Sequence, residues 1–141
     1  MFHQTFDLVQ LNAMNANTLG ETLGIVFTEI GKDFIVAKMP VDSRTVQPYR
    51  KLHGGASVAL AETLGSVASH FCIEDLSKKM VVGVDINANH LRPVTRGFVF
   101  GKVTPIRVGR SMHVWNIEIT DEQQKLVCVS RLTVAIVDKA S

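Results

Sequence analysis

One stretch of this sequence constrains the fold more than any other. From Gly54 to Phe71 there is no proline, and Val58, Leu60, Ala61, Leu64, Val67, Ala68 and Phe71 place apolar side chains almost all the way round a helix. At ~1.5 Å rise per residue this predicts a helix of about 27 Å. A helix that is apolar on every side has to be enclosed by the rest of the chain. A globular chain of 141 residues buries roughly 70% of the surface its unfolded form exposes. That is enough for one sizeable core, so residues 1–141 are expected to form a single domain built around this helix.

The material available to enclose it is β-rich. Ile25-Val26-Phe27-Thr28-Glu29-Ile30 and Phe34-Ile35-Val36-Ala37-Lys38-Met39-Pro40 flank Gly31-Lys32-Asp33, a pattern that predicts a hairpin. After the helix, strand-like stretches run from Met80 to Leu91, Gly97 to Val108, Met112 to Thr120 and Leu126 to Val137. The connections Gly109-Arg110-Ser111 and Asp121-Glu122-Gln123-Gln124-Lys125 are short enough to join antiparallel neighbours. The order ββ-helix-ββββ contains one long crossover, which predicts an α+β fold with a mostly antiparallel sheet wrapped over one central helix. Leu8, Leu11 and Met14 follow Asp7 at helical spacing and predict a short lid-like helix. Between Val41 and Leu52 periodicity disappears, and the concentration of Asp, Ser, Arg, Gln, Pro and Tyr there reads as a functional loop.

Composition removes several classes of function. Hydrophobic residues make up 46% and charged residues 20%, values that exclude disorder and collagen-like repeats. The net charge of +2 is too slight to mark a nucleic-acid protein, and aromatics do not interleave with the basic residues. No apolar run approaches the ~18 residues of a membrane span, and the start lacks the regions of a signal peptide, so a cytoplasmic protein is expected. Cys72 and Cys128 have no metal-ligand spacing and are expected to be buried free thiols. His3, His90 and His113 show no HxxEH-type spacing, so no metal is expected.

Glu62 is the residue that most needs a reason, because an ionised carboxylate inside an apolar helix costs several kcal/mol unless it is hydrogen-bonded or functional. On a helical projection Ser66 and Ser69 flank it within ~40°, with Thr63 and His70 nearby. This narrow polar stripe is either the one solvated edge of the helix or the setting of a catalytic carboxylate. Leu52-His53-Gly54-Gly55 leads into the helix, and free amides at such a start can hold an oxyanion or polarise a carbonyl; two glycines are also ordinary turn chemistry. His53 either donates to a substrate or fixes the loop. Gln47 offers an amide donor and acceptor, or is simply solvated. Between Ile86 and Ile117 there is no acidic residue, while Arg92, Arg96, Lys102, Arg107 and Arg110 all fall there. Such a stretch binds phosphates or protects a strand edge with charge.

Three motifs carry a family resemblance: Asp42-Ser43-Arg44-Thr45-Val46-Gln47-Pro48; Leu52-His53-Gly54-Gly55-Ala56-Ser57-Val58-Ala59-Leu60-Ala61-Glu62-Thr63-Leu64-Gly65-Ser66; and Ile86-Asn87-Ala88-Asn89-His90-Leu91-Arg92-Pro93. In that order, over nearly the whole chain, the sequence resembles the hotdog-fold acyl-CoA thioesterases, and among them the bacterial 1,4-dihydroxy-2-naphthoyl-CoA hydrolases and the proofreading thioesterases of the enterobactin pathway. The resemblance implies a long helix wrapped by a curved antiparallel sheet, dimers that join their sheets, and tetramers. It implies hydrolysis of aromatic acyl-CoA thioesters, with coenzyme A as part of the substrate and with neither metal nor redox cofactor. Glu62 is then nucleophile or general base, Gly54 or Gly55 polarises the carbonyl, Gln47 and His53 orient the thioester, and Ser66 positions water. Gly83, His90, Leu91, Arg92 and Pro93, with the turn Arg107, Val108, Gly109, Arg110, Ser111 and Met112, correspond to the coenzyme A groove. Tyr49-Arg50-Lys51 departs from the family, which usually carries Phe-Gly ahead of a neutral residue. An acyl or aryl carrier protein is an alternative bearer of the thioester, and an acyl-CoA-binding module without turnover is the alternative from another class.

Overall fold

The computed structural model describes residues 1–140. The enclosed helix is α3, Gly54–Cys72, and Leu60, Ala61, Leu64, Ala68 and Phe71 on it are at most 1% exposed. Burying a large apolar side chain of this kind contributes about 1.5–3 kcal/mol. The cover is one sheet of β1 (Val26–Ile30), β2 (Ile35–Pro40), β3 (Lys79–His90), β4 (Phe98–Val108), β5 (Met112–Thr120) and β6 (Leu126–Asp138). Inward residues alternate along the strands, as in Trp115, Ile117 and Ile119 of β5. Helix and sheet approach so closely that a methyl group added at Gly65 on α3 would lie 2.4 Å from Leu132 on β6, and one at Gly101 on β4 would lie 2.6 Å from Leu64.

The strand order is β1-β2-β4-β5-β6-β3, and every neighbouring pair is antiparallel. The hairpin and the two short connections fall as the sequence predicts. The pattern differs in one respect, since β3 does not pair with β4 but with β6, at the far edge. Residues 91–97 therefore make a second crossing, past the ends of β6 and β5. This leaves the 12-residue β3 as an open edge, with Met80, Val82 and Val84 exposed.

Two small helices precede the sheet. In α1 (Leu8–Ala13) the Asp7 carboxylate accepts from the Gln10 amide and the Gln10 side chain accepts from the Asp7 amide, a capping box. Asn12 fastens α1 to β1 by accepting from the Phe27 amide at 2.8 Å and donating to its carbonyl at 3.0 Å. α2 (Leu19–Leu23) is a short element with no periodic signal in the sequence, ended by Gly24 in the left-handed region. The chain start straps the end of α3, where the His3 and Gln4 amides both donate to the Phe71 carbonyl.

Ser69 corrects the expectation of one solvated polar stripe. It is fully buried, its hydroxyl accepts from the Trp115 indole N–H at 2.6 Å, and it lies 2.9 Å from His113 Nδ1. The indole can only donate, and the direction of the Ser69–His113 contact follows the tautomer of His113, whose pKa burial pushes below the ordinary value. Cys128 is buried as expected and Cys72 is half-buried; both are free. Replacing Ser69→Ala strands two buried polar groups at about 1–3 kcal/mol each. Urea unfolding is expected to show a loss of about 3 kcal/mol with an unchanged slope.

Candidate active site

The first group of site residues gathers at the start of α3. His53 is the N-cap, and its Nδ1 accepts from the Gly55 amide at 2.8 Å. A neutral ring then carries its proton on Nε2, where it can donate outward. The His53 carbonyl accepts from the Ala56 and Ser57 amides. Gly55 is thus spent on the cap, and the Gly54 amide is left without an acceptor among the described residues. The His90 imidazole from β3 lies over Gly54, where an added methyl group would stand 2.8 Å from Nε2.

The loop before the helix holds Gln47 in place through its own backbone. The Gln47 amide donates to the Lys51 carbonyl at 2.9 Å, and the Gln47 side-chain oxygen accepts from the Tyr49 amide. Its side-chain NH2 remains as the donor. Arg50 sits in the left-handed region at φ 63°. Upstream, Arg44 pairs with Asp42 at 2.7 Å and holds its carboxyl below the usual range, while buried Thr45 donates to the Pro40 carbonyl at 2.6 Å. Gln47, Lys51, Gly54, Ser57, His90 and Arg92 line one pocket of about 360 Å³, with Leu91 and Pro93 on its rim.

Glu62 belongs to a second group. Its side chain is half-buried and makes no hydrogen bond or ion pair among the described residues. It faces β3 at Gly83, where an added methyl group would lie 3.3 Å from Oε1. The strand bulges at this point, between Gly83 and Asp85, as strands often do beside functional sites. Ser66, one turn on, and Gly83 line a pocket of about 340 Å³ walled by Leu11, Met14, Val67 and His70. Gly54 and Glu62 are eight residues apart on one helix, about 12 Å along its axis.

The residues assigned by resemblance to one coenzyme A groove do not share a pocket within the chain. His90 pairs across to Cys128, whereas the Val108 row runs through His113 and Val134 to Gly83. Six residues of β6 separate these rows, about 20 Å. The turn from Arg107 to Met112 instead opens, at Gly109 and Arg110, on a cleft with Cys72, Ile73 and Glu74 at the other end of α3. Sequence reading did not name Ser57 as a pocket residue, although it stands inside the second motif, and it singled out Lys51 only within the departure Tyr49-Arg50-Lys51. It also missed His113, which carried no signal beyond its residue type. Burial raises the Cys72 thiol to about 11, which leaves it a poor nucleophile. Among the described residues no three His, Cys, Asp or Glu side chains group together, and no helix is long and apolar enough to cross a membrane.

Residues 49–128, which hold Gly54, Glu62, Ser66, Gly83 and His90, match the thioesterase superfamily. The chain belongs to that superfamily. This thioesterase is 52% identical over 129 residues to the 1,4-dihydroxy-2-naphthoyl-CoA hydrolase of Escherichia coli (strain K12), covering 92% of this chain and 93% of that protein. It is 48% identical over 134 residues to the proofreading thioesterase EntH of Cronobacter sakazakii, covering 95% of each. The crystal structure of thioesterase HI1161 from Haemophilus influenzae superposes with a TM-score of 0.94 at 52% identity, over 97% of this chain and 94% of that one. The thioesterase is therefore a thioester hydrolase with the hotdog fold, its curved sheet closed over α3. Because an alanine methyl at Gly54 meets His90 and crowds the one free amide of the helix start, Gly54→Ala is expected to lower thioester turnover about tenfold or more. Thiol release measures the loss, and an unchanged thermal midpoint shows that the fold is intact.

Proposed function

We propose that the protein hydrolyses acyl-CoA thioesters, aromatic ones by preference, at an active site completed by a second copy of the chain. One observation carries this reading: the free amide of Gly54 and the carboxylate of Glu62 stand on one helix about 12 Å apart, the amide in the pocket with Gln47 and His90 and the carboxylate against Gly83 of β3. A thioester carbonyl must lie within roughly 3 Å of both. The open edge of β3 supplies a way to bring them together. A long unpaired edge is a template for pairing, and antiparallel pairing about a two-fold axis sets the His90 end of one β3 against the Lys79 end of the other. Gly54, Gln47 and His90 of one chain then approach Glu62 and Gly83 of the second. The same operation carries Arg92 of one chain toward the end where the other chain's Arg107 and Arg110 lie, in keeping with a long anionic coenzyme A. Two such dimers make the tetramer that the resemblance implies.

In this site the Gly54 N–H stabilises charge developing on the carbonyl oxygen. The Gln47 NH2 and the His53 Nε2–H orient the thioester. Glu62 either attacks the carbonyl carbon, expelling the thiolate and forming an anhydride that water cleaves, or takes a proton from water held by Ser66. A thioester is reactive enough for one oriented carboxylate and one polarising amide to suffice, so neither metal nor redox cofactor is required. The aromatic acyl group fits the second pocket, whose walls of Leu11, Met14 and Val67 are apolar. Lys51 and Arg92 on the first pocket favour a second reading, in which an acidic carrier protein presents the thioester. The cytoplasm, where acyl-CoA is made, suits the free thiols.

Thiol release measured on aroyl-CoA, fatty-acyl-CoA and carrier-bound thioesters decides between these substrates. Glu62→Gln is expected to lower turnover at least about a hundredfold while the protein still folds, since removing a half-buried carboxylate leaves no partner unpaired. Near-native hydrolysis by a folded variant would return Glu62 to the role of a solvated edge residue. A second test reassembles Glu62→Ala chains with Gly54→Val chains, each inactive alone. A shared site requires that verified hybrids regain activity; hybrids that stay inactive place the whole site in one chain.

A further inference from the structure

We infer that His70 is a specificity-determining residue, reading a hydroxyl group carried at the far end of the acyl group. The inference rests on the acyl-CoA reading above and deepens it. The pocket lined by Ser66 and by Gly83, the glycine that Glu62 faces, continues along α3 to His70. Glu62 and His70 are separated by eight residues, about 12 Å of helix, room for a 4-hydroxybenzoyl group of about 6 Å from carbonyl carbon to phenol oxygen with a contact of about 3 Å at each end. The intervening wall, from Leu11, Met14, Val67 and Val81, offers side chains that cannot hydrogen-bond. At the far end His70 stands with Lys79, which is paired with Asp138, and with Lys139.

Its imidazole is poised without being used by the protein. The ring is half-buried, and Phe6 stacks on it at 6.1 Å with an interplanar angle of 25°, which fixes its orientation. Among the described residues neither ring nitrogen makes a hydrogen bond within the protein, although the His70 carbonyl accepts from the Ile73 amide. Burial, and secondarily the positive charge of Lys139, lower its pKa, so at neutral pH the ring is uncharged and offers one donor and one acceptor. A hydroxyl group is the substituent that answers both. Lys139 also lines this end of the pocket, and its charge favours a hydroxyl with acidic character, as on an aromatic ring, over an aliphatic alcohol. A purely hydrocarbon acyl group removes water from the ring nitrogens and returns nothing.

The test compares matched CoA thioesters, benzoyl with 4-hydroxybenzoyl and 2-naphthoyl with 6-hydroxy-2-naphthoyl, in the full-length protein. The unsubstituted protein is expected to prefer at least one hydroxylated partner by about tenfold or more in kcat/KM. His70→Phe keeps the stacking and volume but loses both polar atoms, and is expected to bring that ratio near one. His70→Gln, which retains a donor and an acceptor, is expected to restore part of the preference. Equal rates on both members of each pair in the unsubstituted protein overturn the inference even if a variant fails to fold, as does a His70→Phe ratio that stays where it was. A protein inert toward all four thioesters would instead overturn the acyl-CoA reading, and this inference with it.

Discussion

Everything else in the molecule depends on how closely α3 is held against the sheet. Gly65 meets Leu132, and Gly101 meets Leu64, at separations too short for an added methyl group unless those side chains shift. Only glycine at these places lets the backbone approach that far. Such an approach leaves the helix no freedom to slide. Its ends are fixed as well, by the His53 cap and by the strap of residues 1–7. A helix fixed along its whole length is a ruler, so the rise per residue alone sets the spacing between the free amide of Gly54, the carboxylate of Glu62 and the imidazole of His70.

Much of this architecture was legible because local physics and global packing agree. All-round apolarity announced α3, alternation and glycine turns announced the strands, and Asp7 marked the start of α1. Pairing order was not legible, since which strand lies beside β6 is settled by long-range burial and not by any property of residues 79–90. Sequential strands most often neighbour one another, and β3 departs from that rule. α2 escaped notice because five residues are too few to show a period.

For the site, residue identities were legible and their grouping was not. Glu62 stands out as a charge in an apolar helix, and Gly54 as a helix start without side chains. Yet the projection that placed Ser69 beside Glu62 ignored the sheet. α3 crosses the strands, so residues seven apart, nearly aligned on the wheel, meet different partners: Glu62 reaches Gly83 on β3, and Ser69 reaches Trp115 on β5. The acid-free run from Ile86 to Ile117 is likewise divided within one chain. It reads as one basic patch, but β4 carries it from one end of the sheet to the other, so Arg92 and Arg107 part company.

The position of Glu62 resolves a conflict between stability and chemistry. A carboxylate enclosed as its neighbours Leu60 and Ala61 are, both fully buried, would face a desolvation cost of several kcal/mol with no partner to offset it. The chain avoids that cost by turning Glu62 toward the sheet's open edge, against a glycine and a bulge in β3. There it keeps access to solvent while remaining on the rigid helix. The edge that keeps the carboxylate solvated is also the edge with unpaired backbone groups, which another strand can satisfy. In the two-chain reading, the pairing that completes the sheet therefore also encloses the carboxylate and lowers the local dielectric around it. That is the condition under which an oriented amide and carboxylate act most strongly on a thioester.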